Sequence, residues 1–175
     1  MEVKLVQIEE DLIIGGFSIE SIINYEEEQE KLYKEFIHNG RMTFLDNIKD
    51  TYNEDTKKFH DSFIHSENMV YLNEITKNKN EYYCISWPVI FFKKYKYLIG
   101  QKINKKQERL EIRIIEKGKY VFCEFPKGYD KENAWHYFFN EAENNHKLED
   151  EYIGATFEYY PNGLNDKYEL WHLIR

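Results

Sequence analysis

The residues with the most chemical promise sit near the end of the chain, in TFEYY (156–160), where one carboxylate, Glu158, stands among aromatic rings. In an extended strand successive side chains face opposite ways, so Thr156, Glu158 and Tyr160 share one face while Phe157 and Tyr159 share the other. If the Phe157 face packs on the core, Glu158 and Tyr160 look out over a second surface, the floor of a ligand pocket. A carboxylate held among apolar rings is costly unless paired, and without a partner it would resist ionisation. The other reactive residues suggest less. His60 and His65 lie five apart and do not share a helix face, and no Cys or clustered carboxylate completes a metal set around them. Gly15-Gly16 lacks the spacing of either nucleotide fingerprint and reads as a bulge or a tight strand-to-helix approach. Cys84 and Cys123 occur singly in apolar runs, as reduced, buried thiols of a cytosolic protein. Neither a metal nor a cofactor is expected.

The elements that must position Glu158 follow from patterning. TFEYY and YELWHLI (168–174) are β-rich runs around the turn formers PNGLND, a closing hairpin. Upstream, VKLVQI (3–8) and LIIGGF (12–17) read as strands, and YEEEQEKLYKEFIH (25–38) reads as a helix ended by Gly40. Residues 41–66 are polar and read as irregular, with a short helix expected over RMTFLDNIKDTY (41–52). MVYLNEI (69–75) and YYCISWPV (82–89) predict a second hairpin around KNKN. FFKKYKYLIGQKINKKQER (91–109) is basic and reads as a solvated connector. RLEIRIIEKGKYVFCEF (109–125) predicts two alternating strands. DKENAWHYFFNEAENN predicts a helix capped by Asp130, with Trp135, Phe138, Phe139 and Ala142 on its apolar stripe.

The two halves look alike. VQIEEDLIIGGF, a helix, and MVYLNEI-turn-YYCISWPV match IRIIEKGKYVFCEF, a helix, and TFEYY-turn-YELWHLI. This predicts an α+β fold of duplicated β-α-β-β units, spanning about 1–92 and 107–175 with a connector at 93–106. The units form one antiparallel sheet with two helices on one face, and the opposite face carries a central ligand cleft. The whole chain, 1–175, is expected to be a single domain.

Composition narrows the partner. The 175 residues carry a net charge of −8, whereas a duplex-binding surface needs a surplus of Lys and Arg. Direct nucleic-acid binding is not expected, and a cationic or neutral partner suits the field. The 15 Tyr, 12 Phe and 3 Trp supply large contact surfaces for a core or a recognition site. No apolar run approaches the ~20 residues of a membrane span, and the charged start MEVKLVQIEED has no apolar leader core. A cytoplasmic location is expected.

The segments IIEKGKYVFCEFPKG, AWHYFF, FEYY and YELWHLI together resemble the GyrI-like small-molecule-binding domain, also called the AraC-type or bacterial transcription activator effector-binding domain. That family shows an "I-P-a-g-k-Y" strand, an "a-W" helix, "f-E-x-Y" and a closing strand. The similarity is dense in residues 109–175. Here Glu116 replaces the usual Pro before the "a-g-k-Y" turn, and the last strand ends in WHLI where the family often has "y-i-P-v". The resemblance implies a cleft for hydrophobic, often cationic, aromatic compounds. It implies that Glu158 lies at the base, Tyr160 beside it, and Trp135 and Trp171 along the walls. Tyr71, Tyr83 and Tyr129 complete the expected lining. An aromatic cation would pair with Glu158 and make cation–π contact with Trp135, Tyr160 or Trp171.

Two functions follow. One is a stand-alone effector sensor for a lipophilic cation, as monomer or homodimer, acting on transcription or in a drug or toxin response through a separate regulator chain. The alternative is a hydrolase of strained electrophilic small molecules, with Glu158 as base and Tyr160 or Tyr83 as acid or orienter. No nucleophile–base–orienter set favours the enzyme.

Overall fold

The computed structural model describes residues 1–22, 54–77, 80–89, 94–148 and 156–174. The helices expected over 25–38 and 41–52 lie outside these. Among the described residues are eight strands: β1 Lys4–Ile8, β2 Leu12–Ile22, β3 Tyr82–Val89, β4 Lys94–Lys102, β5 Glu111–Ile115, β6 Gly118–Phe125, β7 Thr156–Tyr160 and β8 Tyr168–Leu173. They form one sheet in the order β1-β6-β8-β7-β3-β4-β2-β5, and every pairing is antiparallel. The described helices are α1 Glu54–Phe63, α2 Glu67–Thr76 and α3 Lys131–Asn145. The class is α+β, as the pattern predicts.

Reading outward from the middle, β7-β8-β6 mirrors β3-β4-β2. The halves therefore join at β3 and β7, where Cys84 pairs opposite Glu158 and Tyr83 opposite Tyr159. Each half begins with a strand that leaves for the other. β1 adds to the edge at β6 and β5 adds to the edge at β2.

Three expectations are overturned. Residues 54–63, read as irregular, form α1, with Thr56 and Phe63 buried. MVYLNEI is not a strand but the body of α2. Ser66 caps it, accepting the Met69 N–H at 3.1 Å. Leu72 is fully buried while Val70 is 54% exposed, the contrast of a helix with one face on the sheet. The segment read as a connector at 93–106 contains β4, the centre of the first half. Its lysines alternate with Tyr95 and Tyr97, which are buried, and Leu98 and Ile99 follow at 0% exposure. Thus β3 is the counterpart of β7, and β4 of β8. The sequence match of YYCISWPV to YELWHLI is offset by one strand.

Both faces of the sheet bury apolar residues. The helix-covered face holds Tyr82, Cys84, Tyr97, Ile99, Val121, Phe125, Tyr160 and Leu170 beneath Phe63, Leu72, Trp135, Phe138 and Phe139. The other face buries Ile14, Ile85, Leu98, Ile115, Tyr120 and Phe157, because the sheet curls around its own centre. Gly15 and Gly16 lie within β2, paired on both sides. A Cβ on Gly16 would stand 2.1 Å from the Ile99 carbonyl oxygen, so glycine there permits a close approach of strand to strand, in place of the bulge or strand-to-helix approach expected. Cys84 and Cys123 are free and buried. No described helix is long and apolar enough to cross a membrane.

Candidate functional site

Strand alternation puts Thr156, Glu158 and Tyr160 on one face of β7, as the sequence predicts, but that face is the one the helices cover. Tyr160 belongs to the helix-side core and Phe157 to the opposite cluster. The expectation that Glu158 and Tyr160 look out from the face away from the helices is therefore corrected. Glu158 lies under the gap between α1 and the start of α3.

Glu158 is 1% exposed. A buried carboxylate needs hydrogen-bond donors and a counter-charge, and both are present. The Tyr160 hydroxyl donates to Oε2 at 2.8 Å, and the Tyr97 hydroxyl lies 3.3 and 3.4 Å from the two oxygens. The counter-charge is Lys131, whose ammonium forms a salt bridge with Glu158. Lys131 Nζ also stands 4.9 Å from the Tyr160 ring centre and 5.2 Å from that of Tyr168, within cation–π range.

The helix start explains how Lys131 arrives there. Asp130 caps α3, accepting the Asn133 N–H at 3.0 Å, which fixes Lys131 as the first helical residue. It lies four before Trp135, so it continues the stripe of Trp135, Phe138, Phe139 and Ala142 that packs inward. A lysine heading a buried stripe is the signal that marks it in the sequence.

Beside Lys131 opens a cavity of about 230 Å³, walled by Thr56, Lys57, His60 and Asp61 of α1, Tyr97 of β4, and Asp130, Lys131 and Glu132. His60 belongs to the inward stripe of α1 with Thr56 and Phe63, both buried. Its ring centre is 5.6 Å from that of Tyr160. Its Nε2 is buried without a hydrogen-bond partner among the described residues. Burial first, then the Lys131 charge, push the imidazole down to about 4, against the opposing pull of Glu158 and Asp61. At neutral pH it is an uncharged wall of the cavity. Burial, then Glu158, likewise drive the Cys84 thiol and the Tyr168 hydroxyl upward, so both keep their protons.

Of the residues expected to line a cleft, the structure brings only Glu158 and Tyr160 together. Trp135 is 1% exposed and stacks on Phe139 at 5.5 Å, inside the core. Trp171 and Tyr83 lie on the opposite face. There Trp171 stacks between Phe122 at 4.8 Å and Phe157 at 5.4 Å, and Tyr83 meets Tyr159 at 5.0 Å. Burial pushes the Tyr83 hydroxyl up to about 12. Tyr71, now helical, packs on Phe17 and beneath the Arg109 guanidinium, 4.4 Å from its ring. Tyr129 packs on Phe125, and its carbonyl accepts the Tyr168 hydroxyl at 2.8 Å. It supports a ring under Lys131 rather than facing the cavity. Sequence reasoning missed Lys131, His60 and Tyr97.

The sequence matches no family model and no curated protein. Its fold does match solved structures. SAV2435 bound to tetraphenylphosphonium aligns with TM-score 0.55 and 14% identity, over 100% of this chain and 94% of that one. A protein from Staphylococcus aureus MU50, provisionally assigned to bacterial transcription regulation, aligns with TM-score 0.56 and 14% identity, over 100% and 99%. An integron cassette protein from the mobile metagenome of Vibrio cholerae aligns with TM-score 0.54 and 14% identity, over 99% and 95%. This chain shares their fold from end to end.

Proposed function

We propose that this chain is a receptor for hydrophobic, cationic aromatic small molecules, a GyrI-like sensor that takes its ligand in the cavity beside Lys131, the partner of Glu158. One observation carries the reading: a fully buried carboxylate at the junction of the two halves, ringed by Tyr97, Tyr160 and Tyr168 and paired with an ammonium group. A site that holds one cation by charge and ring faces has the chemistry to hold another. The fold shared with a tetraphenylphosphonium-bound protein supports the ligand class, and the likeness to a protein assigned to transcription regulation supports the setting. The sensor would then act on transcription.

Nothing among the described residues adds to the hydrolase alternative, since Glu158 is already engaged by Lys131 and Tyr160. Calorimetric titration with tetraphenylphosphonium tests the receptor reading. Glu158→Gln keeps the shape and removes the charge, and should weaken binding by about tenfold or more, the equivalent of roughly 1.4 kcal/mol. Equal affinity in a folded Glu158→Gln protein would remove that carboxylate from the site.

A further inference from the structure

We propose that Lys131 is a tethered competitor for the cation position, so that a ligand cation enters only by exchange with it. The proposal rests on the receptor reading above and adds what the site selects for. The Lys131 ammonium already does everything asked of a bound cation: it pairs with Glu158 and lies over the rings of Tyr160 and Tyr168. The open space beside it, about 230 Å³, falls below the roughly 300 Å³ at which ligand pockets begin. Withdrawal of the lysine stem would enlarge it.

The stem is anchored at the first turn of α3, and its side chain remains 23% exposed, so a path outward exists. Asp61, Asp130 and Glu132 stand on the same cavity wall and can receive the displaced ammonium. Without them, release would place a bare cation at a helix N-terminus, where the dipole opposes it.

Exchange sets a selectivity. A short tether presents Lys131 to Glu158 at an effective concentration on the order of millimolar or above. A compact primary amine offers Glu158 nothing that Lys131 does not, and cannot win at lower concentration. A bulky cation with delocalised charge gains apolar contact with Tyr97, Tyr160 and the His60 ring, and sheds its hydration more readily. The selected class is therefore hydrophobic organic cations with spread charge, and simple alkylamines are rejected.

The test uses two probes and the full chain. Lys131→Met keeps the apolar stem and removes the charge. It should bind tetraphenylphosphonium at least about tenfold more tightly than the unmodified protein. n-Butylammonium at about 1 mM or below, under the effective concentration of the tethered lysine, should raise the melting temperature of Lys131→Met and leave that of the unmodified protein unchanged. A third measurement needs no variant. Tetraphenylphosphonium should speed reductive methylation of Lys131, read by peptide mass spectrometry, because exchange exposes the amine. Slowed labelling would mean that Lys131 lines the bound ligand's pocket, and would overturn the proposal. So would equal or weaker binding by a folded Lys131→Met protein. If neither protein binds tetraphenylphosphonium while butylammonium still stabilises Lys131→Met, the receptor reading falls and the cation position at Glu158 stands.

Discussion

Acidifying from about pH 7 to about pH 5 should weaken the fold by about 2 kcal/mol through His60 alone. The imidazole titrates near 4 in the folded chain against 6.5 as its ordinary value. As the pH falls below 6.5 the unfolded chain gains a proton that the folded chain refuses until about 4. The contribution is thus fully present above 6.5 and disappears as the pH drops toward 4. At about 1.36 kcal/mol per pH unit, the whole interval is worth at most about 3 kcal/mol. Urea unfolding followed by tryptophan fluorescence at both pH values, on the unmodified protein and on His60→Gln, isolates this share from the other titrating groups. The variant should lose about 2 kcal/mol less over the same interval. Equal losses would mean that water reaches His60 freely, and the cavity wall described between α1 and Tyr160 would be wrong.

Other outcomes follow from the same geometry. Trp171→Ala should cost about 3 kcal/mol of stability through lost stacking on the far face, yet leave tetraphenylphosphonium affinity unchanged by titration. Tyr160→Phe should do the reverse, sparing most stability while weakening binding severalfold through the lost hydroxyl contact to Glu158. Gly16→Ala should destabilise by about 3 kcal/mol or more in urea, since its Cβ would meet the Ile99 carbonyl at 2.1 Å. A mild effect there would place β2 and β4 farther apart.

Where short-range rules governed, the sequence was readable. The Asp130 cap, the α3 stripe and the closing hairpin β7–β8 all follow from spacing of three, four or two, and the structure has them. Glu158 and Tyr160 share a face because strand geometry leaves no other choice. The errors lie where tertiary context decides. In MVYLNEI the apolar residues fit either period over so short a run, and only the Ser66 cap tips it to a helix. In β4 the lysines of KYKYLIGQK suggested solvent. They occupy one face of a strand whose other face, with Tyr95 and Tyr97, is buried, and Lys96 reaches Glu111 at 2.9 Å. Which side of the sheet the helices cover is not written in alternation at all, because both faces here are apolar. That single undetermined choice is what moved Trp171 and Tyr83 away from Glu158.

The crossing of β1 and β5 has a kinetic side. Leu5 finds its partner at Val121, and Leu12 finds Ile115, so over a hundred residues must leave the ribosome before the earliest strand can dock. Closing loops of that length precedes any reward from the contacts, which places folding on the order of milliseconds to seconds. Until then the bare edges of β2 and β6 are open to pairing with another chain. Severing the polypeptide between β4 and β5 would leave each fragment missing a strand that only the other fragment carries. Mixed fragments should therefore reassemble as a pair, whereas either one alone should associate with itself or precipitate.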